Sequence, residues 1–299
     1  MTIRHTSRET EGQIYVPKMN AMLMVGCIAL VLYFRESSGL AAAYGIAVTG
    51  TMAITTILFY LVCRRLWNWP KPRALALCGG FLVLDLGFFA ANIIKLNQGG
   101  WIPIVIAILI FTVMTTWKRG REAISQVMFQ LALPLPDFFE RIRQKNPPRV
   151  PGTAVFMTLN RDIAPAVLLH HFKHNQVLHE KVLLLSILTE NVPEIPSTER
   201  VRTTELEHQI IKVTARYGYM ETPDISEILE LCEGAGLQVD QTQCSFYLGR
   251  ETLLISKNLG MHPWRKRLFA FLSRNARPAT EFFNLPPDRV IEIGTQIQL

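Results

Sequence analysis

A single carboxylate inside an apolar stretch is the residue of this sequence that is best suited to proton or cation chemistry. Asp85 lies near the middle of the run from Ala74 to Ile94, which carries no other charge. A carboxylate at the centre of a bilayer costs about 2.5–3.5 kcal/mol on insertion scales, so it should face protein or water. The functional interpretation is a proton or cation relay. The alternative, which the sequence leaves open, is a protonated or paired structural carboxyl.

Hydroxyl side chains on the preceding apolar run are the next candidates. Tyr44, Thr49 and Thr51 fall within a stretch rich in small residues, where hydroxyls or freed carbonyls could line a polar path. Small residues also recur every four positions there, which allows another helix to approach closely. This second pattern consists of Ala41, Gly45, Thr49 and Ala53. We therefore expect helix packing at this run, and consider Asp85, Tyr44, Thr49 and Thr51 as transport candidates.

Histidines cluster in the second half of the chain, at positions 170, 171, 174 and 179. His170 and His174 have the i, i+4 spacing that lets two imidazoles share a helix face and bind a metal. Zinc needs further ligands, and none is placed here by spacing. A structural or surface role is the favoured interpretation, so we expect no metal site and no cofactor. The sequence also contains no phosphate-binding glycine loop and no evident nucleophile–base pair, and we expect that the protein is not an enzyme.

The elements that position these residues are four apolar runs in the first part of the chain. Hydrophobic residues make up 49% of the sequence and charged residues 18%, below the roughly 25% of soluble proteins. Runs of this length and number predict a bundle of transmembrane helices in a lipid bilayer. The predicted spans are Met19–Phe34, Gly39–Cys63, Ala74–Ile94 and Gly100–Trp117, within a membrane domain of residues 19–117 after a segment of residues 1–18.

The basic residues between the runs predict the orientation. Lysines and arginines concentrate before the first span, between the second and third, and after the fourth. By the positive-inside rule, the N-terminus and the C-terminal part are cytoplasmic in a multi-pass protein of the cell (inner) membrane. The net charge of +7 comes mainly from these flanks, so it does not predict nucleic-acid binding.

The remainder of the chain divides into a connecting region and a C-terminal domain. Residues 118–150 are predicted to hold an amphipathic helix, with Ile124, Val127, Met128 and Leu131 on one face, and then a proline-rich linker. This helix could lie on lipid or pack on the C-terminal domain. In residues 151–299, strand-like and helix-like segments alternate, which predicts an α/β domain. The predicted segments are strands Thr153–Leu159, Lys181–Leu188, Gln209–Arg216 and Gln243–Leu248, and helices Ala164–His174 and Asp224–Glu233.

Several motifs resemble the Kup (KUP/HAK/KT) potassium uptake permeases. They occur in both halves of the chain and in the family's order, so the resemblance covers nearly the whole chain. The motifs are Ser38–Met52 (SGLAAAYGIAVTGTM), Gly99–Pro103 (GGWIP), Met114–Lys118 (MTTWK), Val150–Val155 (VPGTAV), His171–Glu180 (HFKHNQVLHE) and Arg289–Thr295 (RVIEIGT).

This resemblance implies a LeuT-like transporter fold and potassium uptake by symport with protons, so that K⁺ and H⁺ are the transported species. Family members have about twelve spans, and the four here resemble the last four. The chain is thus expected to be a C-terminal portion whose partners are the N-terminal spans or a second protomer. The early spans are thought to form most of the potassium site, so no ion ligand of the family is carried over onto this sequence.

Two other functions remain open at this point. One is a regulatory nucleotide-binding module attached to a membrane bundle. The other is a membrane-anchored metal-binding protein built on the histidines.

Overall fold

The computed structural model describes residues 4–130, 133–158, 162–237, 239–254, 261–276, 283 and 285–298. Contacts divide the chain into two compact units. One is Pro17–Thr115, and the other combines the chain before Pro17 with the chain after Thr115.

The chain begins with a short antiparallel hairpin, formed by β1 (Arg4–His5) and β2 (Ile14–Tyr15). Four long helices follow. They are α1 (Pro17–Phe34), α2 (Ser37–Arg65), α3 (Lys71–Ile93) and α4 (Trp101–Gln130). All four are long and apolar enough to cross a membrane, with mean hydropathies of 1.6 to 2.0. The expectation of four membrane helices is confirmed, whereas a LeuT-like arrangement stays a prediction.

Helices α2 and α3 pack against each other along most of their length. Near one end, a Cβ added to Gly45 would lie 2.4 Å from Asn92 Oδ1, and at the other end Cys63 is buried with Ala74 and Cys78. Residues early in α2 thus contact residues late in α3, so the two helices are antiparallel. Small side chains permit this close approach. Of the predicted small-residue stripe, Ala41 is exposed and Ala42 is buried instead.

The C-terminal domain is built on a six-stranded sheet with the order β10-β9-β4-β6-β8-β7. All neighbours are parallel except β7 and β8, which are antiparallel. The strands are β4 (Arg149–Met157), β6 (Leu178–Glu190), β7 (Val201–Glu205), β8 (Ile210–Gly218), β9 (Cys244–Leu254) and β10 (Val290–Gln298). Two short strands, β3 (Leu133–Pro134) and β5 (Ile163–Ala164), pair separately.

Helices cover both faces of this sheet. Helices α5 (Leu135–Lys145) and α6 (Ala166–His174) pack on one face, and α8 (Ile225–Gly234) packs on the other. Successive strand residues enter opposite cores, since Ala154 and Phe156 belong to the first and Val155 to the second. The remaining helices are α7 (Ser197–Arg200) and α9 (Pro263–Arg274). The predicted α/β architecture is confirmed.

The connecting region differs from its prediction in two ways. Residues 135–145, expected to be linker, form α5, and Phe138 of this helix is fully buried in the sheet core. The predicted amphipathic helix is the continuation of α4. Its Ala123 and Ile124 pack on Phe269 of α9. Of the two predicted contacts of this helix, lipid or the C-terminal domain, the second is therefore observed at these residues. Leu131, on the predicted apolar face, and Leu159, the last residue of the first predicted strand, lie outside the described residues.

Candidate functional site

A groove with a mostly apolar lining lies between α2 and α3. Its volume is about 530 Å³, and five of its lining residues carry hydroxyl or carboxyl groups. These are Tyr44, Thr51, Thr55, Thr56 and Asp85. Tyr44, Thr51 and Thr55 recur at helical spacing and therefore share one face of α2. The groove brings hydroxyl groups of α2 close to the carboxyl of α3.

Asp85 lines this groove and is buried. It is only 6% exposed, and its Oδ2 accepts a hydrogen bond of 2.5 Å from the hydroxyl of Thr56. The hydroxyl compensates part of the cost of removing a carboxyl from water, which an unpartnered group would bear in full. A carboxyl held in this way can take up a proton or provide oxygen ligands to a cation.

Of the other predicted site residues, two line the groove and one does not. Tyr44 is 71% exposed, and the hydroxyl of Thr51 donates to the carbonyl of Ala47 at 2.8 Å. Thr49 is buried outside the groove lining, where its hydroxyl donates to the carbonyl of Gly45 at 2.7 Å. Thr49 therefore satisfies its hydrogen bond within its own helix.

Sequence reasoning missed Thr55 and Thr56. Thr55 could have been found, because it continues the spacing of Tyr44 and Thr51 along one helix face. Thr56 could not, because its role depends on Asp85, which is 29 residues away and on another helix.

The histidines of the C-terminal domain do not form a metal site among the described residues. His170 and His174 stack with their ring centroids 5.8 Å apart, but no group of three or more His, Cys, Asp or Glu side chains there could hold a metal ion. The metal-binding alternative therefore gains no support from the described part of the chain.

A different pair of histidines lies closer to the core, with His171 buried and His179 half-buried. The rings of His171 and His179 lie 5.8 Å apart, and both contact Tyr247. Burial lowers the pKa of both imidazoles, and for His171 the charge of His179 adds to the effect. His171 Nε2 and His179 Nδ1 have no hydrogen-bond partner among the described residues. These histidines thus favour the neutral state.

The C-terminal domain also has a cleft of about 790 Å³ near the amino ends of β4, β6 and β8. Arg149 at its wall donates to the carbonyls of His179 and His208, and burial lowers the pKa of this arginine. Open α/β sheets bind ligands beyond the carboxyl ends of their strands. This cleft lies at the amino ends of the strands instead, so it does not support the nucleotide-binding alternative.

The four apolar helices, together with an appended α/β domain, define an integral membrane protein. Comparison with protein families is consistent with this class. Residues 1–122 match the K⁺ potassium transporter integral membrane domain, and residues 151–299 match the K⁺ potassium transporter C-terminal domain. The chain belongs to the potassium transporter family, as its motifs predicted.

Curated relatives of this chain are similar over its whole length. A probable potassium transport system protein Kup of Anaeromyxobacter sp. (strain Fw109-5) is 53% identical, and one of Myxococcus xanthus (strain DK1622) is 49% identical. Both alignments cover 100% of this chain and 46% of the relative. The chain therefore spans about half the length of these relatives. They are transport proteins rather than enzymes, in agreement with the expectation from the sequence.

Proposed function

We propose that this chain forms the C-terminal portion of a potassium uptake transporter that moves K⁺ together with H⁺, in a LeuT-like fold. The observation that carries the proposal is the buried carboxyl of Asp85 in the groove between α2 and α3, together with the hydroxyl groups that share the lining. Membership of the potassium transporter family and the printed names of the relatives support the choice of ion.

The position of its polar groups supports a role of the groove in moving protons or cations. Ionisable residues inside membrane segments are costly, and they commonly mark ion pathways and proton relays. Thr56 donates to Asp85, while Tyr44, Thr51 and Thr55 provide further oxygens along the same groove. In this proposal Asp85 exchanges the proton, and the hydroxyl groups line the path of the cation.

The remaining spans of the transporter are proposed as the partners of these helices. Large apolar side chains are exposed on all four helices, for example Leu23 of α1, Val83 of α3 and Phe111 of α4. Such surfaces suit lipid or further helices. A transporter site at the bilayer midplane requires two structural repeats. We therefore propose that N-terminal spans complete the site, and that the N-terminus and the C-terminal domain are cytoplasmic in the cell membrane.

A chimera tests this proposal. This chain replaces the matching portion of the Myxococcus xanthus relative, and rubidium uptake is measured in a host that lacks its own potassium uptake systems. The chimera should support uptake that accelerates at acidic external pH. Asp85→Asn should lower the initial rate at least about ten-fold, because an amide cannot release a proton, and such a rate loss corresponds to about 1.4 kcal/mol.

The matched control is Glu36→Gln, in the loop between α1 and α2, where the carboxylate accepts a hydrogen bond from the hydroxyl of Ser38. This variant should transport normally. A chimera that is correctly inserted but inactive would contradict the assignment as a transporter portion. An Asp85→Asn chimera with unchanged proton-coupled uptake would remove Asp85 from the mechanism.

A further inference from the structure

The hairpin that precedes the first membrane helix contacts the C-terminal domain. The hydroxyl of Tyr219 donates to the backbone carbonyl of Arg8 at 2.8 Å, and the rings of Tyr219 and His5 lie 5.2 Å apart. Arg8 also reaches Glu194, with Nη2 and Oε1 separated by 3.0 Å. Residues near the start of the chain are thereby joined to residues about 200 positions later.

The surface that receives the hairpin is held firmly by its own hydrogen bonds. The backbone amide of Tyr219 donates to the carbonyl of Val192, and the carboxylate of Glu221 accepts from the amides of Ile195 and Gly218. Gly218 is required here, because an added Cβ would lie 2.2 Å from the carbonyl oxygen of Pro193. Arg200 forms an ion pair with Glu221. This surface follows the carboxyl ends of β6 and β8, and Tyr219 is 7% exposed within it.

The hairpin itself is small. Thr6 donates its amide to the carbonyl of Gln13 at 2.8 Å, and the strands β1 and β2 have two residues each. An isolated two-stranded hairpin is marginally stable in water at best. Its order therefore depends on its docking to the C-terminal domain.

We propose that this hairpin is a latch, by which the C-terminal domain holds the entrance of the first membrane helix. Only Val16 separates β2 from Pro17, where α1 begins. A displacement of the loop that carries Glu194, or of the turn that carries Tyr219, is transmitted to α1 through this single residue. The latch also requires the hairpin and the C-terminal domain to be on one side of the membrane, which agrees with an even number of spans. It does not depend on which ion is transported.

The contacts of the latch contribute unequally to the free energy of docking. The pair Arg8–Glu194 is solvent-exposed, with side chains 73% and 55% accessible, and exposed pairs of this kind contribute little. The Tyr219 hydroxyl and ring are shielded from water and should carry most of the docking. A net hydrogen bond of ordinary strength changes an equilibrium by about five-fold.

Hydrogen exchange of the whole chain in lipid nanodiscs tests the latch. Tyr219→Phe should increase the exchange rate of the amides of residues 4–15 about five-fold, since undocking exposes the hairpin. Tyr15→Phe is the matched control, because Tyr15 is half-exposed in the hairpin. That variant and the charge swap Arg8→Glu with Glu194→Arg should both leave exchange nearly unchanged. Equal exchange in the Tyr219→Phe variant and the unaltered chain would overturn the proposal.

A cross-link gives an independent measurement if Tyr219→Phe also loosens the domain itself, which exchange of β6 would reveal. Arg8→Cys with Glu194→Cys, in a chain that also carries Cys27→Ser, should be joined by a short bifunctional maleimide in the membrane, because the long Arg8 and Glu194 side chains meet at their tips, over a span that a disulfide cannot bridge. Arg8→Cys keeps the backbone carbonyl that accepts from Tyr219. Failure of the two thiols to link, with the chain folded and inserted, would also overturn the latch.

Discussion

Similar apolar side chains are exposed on the membrane helices and buried in the C-terminal domain. Helix α1 has no buried residue, and Phe88 of α3 is 59% exposed. In the C-terminal domain, by contrast, Phe138 and Phe156 are fully buried on one face of the sheet. The difference follows from the surroundings. In water, apolar burial drives folding, whereas lipid tails solvate apolar side chains and leave helix association to packing and polar contacts.

Polar contacts show the same contrast. In the membrane unit, the hydrogen bond from Thr56 joins α2 to α3 at the carboxyl of Asp85. In the C-terminal domain, Arg200 pairs with Glu221 and Glu227 in a network that also contacts the ring of Tyr217. A polar contact therefore joins two helices in the membrane unit, while in the C-terminal domain such contacts hold loops to a sheet that is already packed.

Truncating one phenylalanine in each region should produce the largest difference. Phe138→Ala should lower the free energy of unfolding of the C-terminal domain by about 3–5 kcal/mol, because it leaves a cavity in the core. Phe88→Ala, on an exposed helix face, should change bundle stability by less than about 0.5 kcal/mol. Denaturant titration of the chain in detergent, followed by hydrogen exchange of β4 and of α3, measures both. Similar losses in the two regions would refute the contrast.

Acid should destabilise the C-terminal domain through two of its histidines. Because burial lowers the pKa of His171 and His179 in the folded state, the unfolded chain binds protons first as the pH falls below about 6.5. The stability they contribute is therefore complete above that pH and is lost on acidification. Residues 17–115 contain no histidine, so this histidine effect is confined to the C-terminal domain.

The matched variants for this pH effect are His171→Gln and His174→Gln. The first should flatten the fall in melting temperature between pH 7.5 and pH 5.5, since it removes a buried titrating group. The second changes an exposed histidine and should leave the slope as it is. Equal slopes in all three proteins would show that the pair of His171 and His179 does not set the pH dependence.

The smallest effect should come from the polar contact in the membrane. Thr56→Val removes the donor to Asp85, and interhelical hydrogen bonds in membranes average only about 0.6 kcal/mol. Thr51→Val is the matched change, because that hydroxyl bonds within its own helix. Titration of the bundle with a denaturing detergent should detect a small loss for Thr56→Val and less for Thr51→Val. A loss of several kcal/mol would mean that Asp85 is a principal structural anchor of the pair.

Much of the membrane unit could be predicted because its signal is local. Each apolar run carries enough information to predict a helix, and the described helices contain or closely match the predicted spans. The linker prediction was wrong for residues 135–145 because Pro134, Pro136 and Pro147 suggested irregular structure. Pro136 lies in the first turn of α5, where proline costs no hydrogen bond. Helix α5 has only 11 residues, so its apolar pattern is too short to predict a helix from the sequence. The helix becomes evident only when its buried side chains are seen to pack on the sheet.

The candidate sites could be predicted only in part. Asp85 and Tyr44 were found because an ionisable or polar group in an apolar run is conspicuous in any sequence. The hydrogen bond between Asp85 and Thr56 was not predicted, and neither was the contact between the buried His171 and the half-buried His179.

The sequence by itself determined that four helices enter a membrane, that an α/β domain follows, and that the chain resembles potassium transporters. These properties depend on composition and on spacing within single segments. The tertiary structure decided which hydroxyl meets Asp85, which histidines lose their contact with water, and that the N-terminal hairpin docks beside Tyr219. Each of these is a contact between distant segments, and its energy depends on a packing register that no single segment encodes.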